Sequence, residues 1–312
     1  IATRRRCFLS TPNVNFAVAA MRDSAFRGSV LRSDLSVADG FPIVRIARAM
    51  GIDLPGRVAG ADLFERLQAA GRSAHQPPIK LYLFGGPPGI GARAAARLNA
   101  QGGGFECVGH DEGGFGDVEA MSSRATIERI NAGNADFVLV ALGAKKGQAW
   151  IERNRERLRA PVLCHLGAVI NFAADSVARA PAWMQRLGLE WVWRIVQEPQ
   201  LWRRYWDDGR VLLRALATQA LRSKRRAAGA GQPARFEIDR GAYAARIVLS
   251  GDWRGRGDQT ALRRSLAQLL RQSVRVEFDT SAAPAVGSAL LGLLALIERR
   301  DRTVSKQELM DL

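Results

Sequence analysis

Long apolar runs are the first thing this 312-residue sequence lacks. No stretch approaches the ~20 apolar residues that a membrane-spanning helix needs. The longest candidate, PAVGSALLGLLALI from Pro284 to Ile297, has the length of a buried helix. The opening IATRRRCFLS is basic but has no apolar core, so no signal peptide is expected. It also carries no initiator Met, and a few residues are read as missing there. Neither an integral membrane nor a secreted protein is expected on these grounds. Cysteine is scarce: Cys7, Cys107 and Cys164 are far apart and form no C-x-x-C pair, which fits reduced thiols in a reducing cytosol. The three histidines, His75, His110 and His165, are too scattered for a zinc site. No internal repeat is visible.

Negative charge is also in short supply. Asp and Glu number 30 against 46 Lys and Arg, for a formal charge of +16. Such an excess points to acidic partners: nucleic acid, anionic lipid or phosphorylated substrates. Five of the seven Trp (Trp183, Trp191, Trp193, Trp202, Trp206) fall in one short segment with Arg186, Arg194, Arg203, Arg204 and Arg210. A second basic run, Arg222, Lys224, Arg225 and Arg226, follows. Interleaved Trp and Arg on helices suit a membrane surface, where rings sit at headgroup level and guanidinium meets phosphate. The competing reading is a Trp-rich helix in a core with Arg on its wet face. For nucleic acid there is no RNP, zinc-finger or helix-turn-helix pattern.

What the sequence does have is alternation. IKLYLFGG, GFECVG, DFVLVALG and APVLCHLGAV read as buried strands. PGIGARAAARLNAQ, SSRATIERINAG and KKGQAWIERNRERLR, between them, read as helices. This predicts an α/β fold with a Rossmann-like parallel sheet flanked by helices. Upstream, NVNFAVAAMRDSAFRGSVLRS and PIVRIARAMGI read as two helices separated by DLSVADGF. SKRRAAGAGQPAR, residues 223–235, reads as a linker, basic then Gly/Ala-rich. Beyond it a small second α/β domain reads β-β-α-β-α, its last helix starting at Pro284.

Several residues bear chemistry, each with a plain structural alternative. GGPPGIG, Gly85 to Gly91, follows a strand and opens a helix, where backbone N–H groups can hold a diphosphate. It is neither G-x-G-x-x-G nor a Walker loop, and a merely Gly-rich turn reads equally well. Asp39 in SVADGFP is a general-base candidate or a turn residue. Asp62 in VAGADLF looks like a helix cap. Thr11 and Asn13 in STPNVN either hydrogen-bond a substrate or cap the next helix. His110, in a Gly-rich polar loop, either touches a phosphate or ring or is simply solvated. No D-x-D metal-binding pattern and no Ser-His-Asp arrangement is present.

STPNVN, DLSVADGFPIVRIARAMG, LPGRVAGADLF and above all ARAPAWMQRLGLEWVWRIVQEPQLWRRYW occur in that order. From about Leu9 to Leu216 the chain thereby resembles the WecG/TagA/CpsF glycosyltransferases. The resemblance implies a peripheral protein on the cytoplasmic face of the membrane. It implies transfer from a UDP-sugar, N-acetylmannosamine type or another hexose, to a polyprenyl-diphosphate-linked glycan in cell-surface polysaccharide biosynthesis. The transfer inverts configuration and uses no metal or other cofactor. Partners are then the UDP-sugar, the lipid-linked acceptor and an anionic membrane surface, with no nucleic acid.

Matched to the family motifs, Asp39 is the implied catalytic base, and Thr11 and Asn13 fall in its T-P-N motif. Arg57, Gly60 and Asp62 match R-V-x-G-x-D, and Gly85 and Gly86 match the glycines after the nucleotide-side strand. The expected substrate set also takes in Gly143, Lys146, Gln148 and Asn171, and His110 from its place in the Gly-rich loop. Arg194, Arg203 and Arg204 match basic positions of an appendage, about residues 183–222, that meets the diphosphate at the membrane. Two motifs depart from the family. G-x-P-x-Q-E reads GAKKGQ, with Gly147 and Gln148 where Gln and Glu are expected. G-x-F-D-F-x-A-G reads GAVINFAAD, with Asn171 for Asp and Asp175 for Gly. These leave donor identity open, and a catalytically degenerate scaffold that binds UDP-sugar or lipid is the alternative function. Residues 1–222 form the transferase domain in this reading. Residues 236–312 resemble a STAS-like domain, which implies docking of a protein partner. Its phosphorylatable position falls near Ser288, where the expected D-S-x-G is degraded to VGSAL. Oligomeric state is left open.

Overall fold

The computed structural model describes residues 6–49, 54, 56–70, 77–114, 116–227, 233–241, 244–253, 259–272, 275–286 and, singly, 290, 293, 294 and 297. The chain divides into two compact units, residues 1–44 with 56–213, and residues 45–55 with 214–312.

The first unit is built on a six-stranded parallel sheet. Its strands are β1 (Cys7–Ser10), β2 (Leu35–Ser36), β3 (Ile79–Gly85), β4 (Phe105–Asp111), β5 (Phe137–Ala141) and β6 (Val162–His165), in the order β2-β1-β6-β5-β3-β4. The four apolar runs read as strands are β3 to β6, and the three helices read between them are α5 (Ile90–Gln101), α6 (Arg124–Ala132) and α7 (Ala144–Asn154). Side chains alternate across the pleat. Leu81, Leu83, Leu139 and Cys164 pack with Phe64, Ala94, Leu98 and Ile170 from α4 (Gly60–Ala69), α5 and α8 (Val169–Ala173). Tyr82, Phe84, Val138 and Leu163 pack on the other face with Ile127, Ile130, Trp150 and Ile151 from α6 and α7. Both faces being covered, these strands read as continuous apolar runs.

β1 and β2 are not legible as strands in the sequence. β1 is four residues long and β2 two, both of the latter exposed. The segment read as one helix from Asn13 is two, α1 (Val14–Arg22) and α2 (Ser24–Leu31), broken at Asp23. The Asp23 side chain accepts from Phe26 N–H and so caps α2, while its own N–H closes α1 on Ala19. α3 (Phe41–Ala49) covers the first part of the helix read from Pro42, and residues 50–52 of that segment lie outside the described residues. The Trp/Arg segment forms α9 (Ala182–Leu187), α10 (Glu190–Gln197) and α11 (Leu201–Ala227). Gly188 joins α9 to α10 in the left-handed region, φ 74°, where a Cβ would also meet the Phe41 ring at 2.6 Å.

α11 runs through Ala227, so the first five residues read as linker are helical. The second unit holds β7 (Arg235–Arg240), β8 (Ala244–Trp253), α12 (Gln259–Arg271) and β9 (Arg275–Val286) in a sheet of order β7-β8-β9, antiparallel then parallel. Ile247, Leu249, Trp253, Leu262 and Leu266 form its core. Pro284 belongs to β9, not to a helix start, and helical backbone is seen at 290, 293, 294 and 297. Residues 228–232 of the linker, Ser288 and residues 298–312 lie outside the described residues.

Candidate active site

A cleft of about 990 Å³ opens at the carboxyl ends of β1, β5 and β6. This is where open parallel sheets bind ligands, because the loops after neighbouring strands part to opposite faces there. Thr11 and Asn13 arrive after β1, Leu142 and Gly143 after β5, and His165 to Ala168 at the end of β6. Asp39, Arg57 and Gly60 come from the segment between β2 and α4. The opposite wall is apolar and aromatic, from Trp191 and Ile195 on α10 and Trp202, Tyr205, Trp206, Leu212 and Leu213 on α11.

Backbone bonds place Asp39. Its N–H donates to Pro12 O at 2.8 Å, and Val58 N–H donates to Ala38 O at 2.9 Å. The loop after β2 is thus tied to the loop after β1 and to the approach to α4. The Asp39 carboxylate faces the cleft beside the Gly60 backbone N–H at the start of α4. Asp39 keeps some surface toward the cleft, yet surrounding protein removes most of its water. That desolvation pushes its carboxyl up to about 7; Arg57 pulls it down, Glu190 and Asp62 push it up, and the Gly60 N–H pulls it down.

Beside it lies a closed ring of charge. Arg57 donates to Glu190 and to Asp62, each at 3.1 Å. Arg179 meets Asp62 at 2.6 Å, Glu190 at 3.5 Å and Glu65 at 2.5 Å. Burial works against the Arg179 charge, but its bonds to Glu65 and Asp62 outweigh it and raise its pKa. Arg57 also lies over the Phe41 ring at 5.4 Å, and Arg179 over Phe172 at 5.9 Å. Asp62 lines a second, shallower depression of about 590 Å³, of which Arg57 and Phe41 form the shared wall.

Of the residues singled out in the sequence, Thr11, Asn13, Asp39, Arg57, Gly60, Gly143, Asn171, Arg194 and Arg204 line the cleft. Asn13 also caps α1, its Oδ1 accepting from Phe16 N–H at 3.2 Å. Asp62 serves the ring. Gly85, Gly86, His110, Lys146, Gln148 and Arg203 are not in the lining. Gly85 and Gly86 are held at positive φ, 90° and 95°, with Gly85 against the Ala141 backbone. The α5 start they lead to has its Gly89 N–H on the Glu112 carboxylate at 2.6 Å. His110 is a residue of β4 rather than of a loop, and is exposed. Lys146 donates to Gly116 O at 2.9 Å. Arg203 is exposed and lies over Trp202.

Gln148 is fully buried, its amide donating to Ser10 Oγ at 2.6 Å. Gly147 has a local reason too: a Cβ there would overlap the His165 ring. Asp175, where the family has Gly, takes the left-handed conformation that explains a glycine, φ 55°, and pairs with Arg97 at 2.5 Å. Only Asn171 among these departures faces the cleft.

Sequence reasoning passed over four residues. Arg179 and Glu190 both lie inside the string that carries the family resemblance, but nothing in it gives them a partner. Asp208 on α11 accepts from Asn15 at 2.9 Å. His165 Nε2 pairs with Leu142 O, its Nδ1 has no partner, and burial lowers its pKa. It therefore stands as a neutral imidazole in the cleft wall.

Residues 1–226 match the model of the "Glycosyl transferase WecG/TagA/CpsF family". The chain belongs to this family. Among relatives, an N-acetylglucosaminyldiphosphoundecaprenol N-acetyl-beta-D-mannosaminyltransferase of Bacillus spizizenii (strain ATCC 23059 / NRRL B-14472 / W23) is 28% identical over 197 residues, covering 63% of this chain and 74% of the relative. A protein of the same name from Bacillus subtilis (strain 168) is 27% identical over 196 residues, covering 63% and 73%. This WecG/TagA/CpsF member is thus a glycosyltransferase whose family segment spans the parallel sheet and the α9–α11 appendage. No described helix is long and apolar enough to cross a membrane.

Proposed function

We propose that this protein moves a sugar from a UDP-sugar to a polyprenyl-diphosphate-linked glycan, with inversion and without a metal, in cell-surface polysaccharide assembly. The observation that carries the reading is Asp39 at the base of the cleft, with a carboxyl whose pKa is about 7. A base of that strength is half ionised near neutrality and can accept a hydroxyl proton as the bond to carbon forms. In the proposed reaction the acceptor oxygen attacks the anomeric carbon from one face while UDP leaves from the other. Asp39 takes the acceptor's proton, and UDP carries away the bond pair. The transition state is oxocarbenium-like, as in inverting glycoside hydrolysis. Arg194, Arg204 and Arg210 line the cleft and are placed to oppose the diphosphate charge, a contribution of several kcal/mol in such sites.

The names of the Bacillus relatives support a donor sugar of the N-acetylmannosamine type and an acceptor bearing N-acetylglucosamine on a polyprenyl diphosphate. The aromatic wall of α10 and α11 suits the lipid end of that acceptor. It supports residence at a membrane surface as a peripheral protein, and the cytoplasmic face is the one we propose. The second unit, read as STAS-like, is proposed to dock a protein partner.

The competing scaffold reading leans on the altered motifs, and three of the four altered positions have local structural reasons, Asn171 being the exception. Gly147 makes room for His165, and Gln148 is bonded inside the core. The test is transfer by the full-length chain, in detergent with EDTA, from a panel of labelled UDP-sugars to short polyprenyl-diphosphate glycans. Asp39→Asn should cut turnover by roughly 10²–10⁴-fold while leaving UDP binding in place. Wild-type turnover from the variant sinks the base assignment. Saturable UDP binding without transfer from any donor assigns the chain to the scaffold.

A further inference from the structure

We propose that Glu190, presented by the first turn of α10, is a positioning residue of the transfer centre: by bonding Arg57 it draws that guanidinium away from the Asp39 carboxylate. The inference rests on the reading of Asp39 as the base.

The geometry is that of the ring. Both terminal nitrogens of Arg57 are engaged, Nη1 by Glu190 and Nη2 by Asp62, each at 3.1 Å. Arg179 joins the same two carboxylates from the other side, at 3.5 and 2.6 Å. Both guanidinium groups are well buried, with side chains 13% exposed, so water does little to screen them. The charged groups that face Asp39 are Arg57 from the loop, Asp62 from α4 and Glu190 from α10, with the Gly60 N–H at the start of α4.

An arginine beside an aspartate ordinarily makes a weak base, because the cation stabilises the carboxylate. Here Arg57 is bonded to two other acids, and those acids themselves face Asp39. Among the charges that act directly on Asp39, one cation stands against two anions, and Arg179 behind them is the second cation of the ring. Desolvation raises the Asp39 carboxyl, and with Arg57 shared among these acids the cation does not cancel that rise, so the group can take a proton near neutral pH. The appendage helix thereby acts on the chemistry through Arg57, without touching a reacting atom.

Two substitutions give shifts of opposite sign. Glu190→Gln keeps the shape and an acceptor oxygen but removes the negative charge. The Asp39 titration should then fall by on the order of one pH unit, and the acid limb of the kcat/KM profile with it. Arg179→Met removes a cation and leaves Arg57 alone between Asp62 and Glu190, so the titration should rise. The direct readout is carboxyl ¹³C NMR of Asp-labelled full-length protein without substrate, with the Asp39 resonance assigned by its loss in Asp39→Asn. A merely structural brace would lower thermal stability in both variants and leave the midpoint where it is. That outcome, or shifts of the same sign, overturns the proposal; either variant that folds suffices to read its own sign. Absence of transfer by the wild type would sink the transferase reading and leave this titration interpretable on its own.

Discussion

Single residues account for two of the features that set this chain apart from its family pattern. Gly147 lies buried on α7, and a methyl group there would run into the His165 ring. The ring has nowhere to go, since its Nε2 is held by Leu142 O and its edge packs near Phe16. Gly147→Ala should therefore cost about 1–3 kcal/mol through overpacking, read as a lower urea midpoint. Shortening His165 in the same chain, as Gly147→Ala/His165→Ala, should recover part of the packing loss. Asp175 shows the converse case, a left-handed position filled by a residue with a short polar side chain, which tolerates it better than most.

At the scale of elements, α9 to α11 behave differently from the helices that flank the sheet. Trp183, Leu187, Trp191, Val196, Trp202, Trp206, Leu213 and Leu216 all expose large apolar surface between residues 183 and 216. Large apolar side chains exposed this often along one segment suit an interaction surface better than a solvated face. Of the two sequence readings, a core helix with wet arginines is the one these exposures disfavour. The arginines lie among the rings, Arg203 over Trp202 and Arg204 over Tyr205 at 5.8 and 5.3 Å. The double variant Trp202→Ser/Trp206→Ser should lose about tenfold or more in sedimentation with anionic lipid vesicles, with little change in thermal midpoint. Unchanged sedimentation would take these helices away from the bilayer.

For the molecule as a whole, the raised Asp39 pKa has a consequence for stability as well as for rate. Between the ordinary aspartate value near 4 and its folded value near 7, the folded chain holds a proton that the unfolded chain has released. Stability from this group is thus complete below about pH 4 and is lost as pH rises through about 7. Asp39→Asn removes the dependence. At pH 8 the variant should be more stable than the wild type by on the order of 1–3 kcal/mol, a difference that vanishes near pH 4 in urea unfolding. Equal stability at pH 8 would mean that the carboxylate is better solvated than its surroundings suggest.

The sequence by itself determined the parallel α/β alternation, the second small sheet unit and most of the cleft. Buried strands such as DFVLVALG and amphipathic helices such as SSRATIERINAG are local patterns, so each segment carries its own signal. Thr11, Asn13, Asp39 and Arg57 were legible because short motifs hold them. What packing alone decided is the company these residues keep. β1 and β2 exist as strands because neighbours complete them, and the Asp39 carboxyl is raised because surrounding protein strips its water, with Glu190, 151 positions away, adding to the rise. Gly85, Gly86, His110, Lys146, Gln148 and Arg203 were drawn into the expected site by motif and loop position, yet they fall outside the lining of the cleft. Electrostatic surroundings depend on distance in space, and the linear pattern of the chain does not record it.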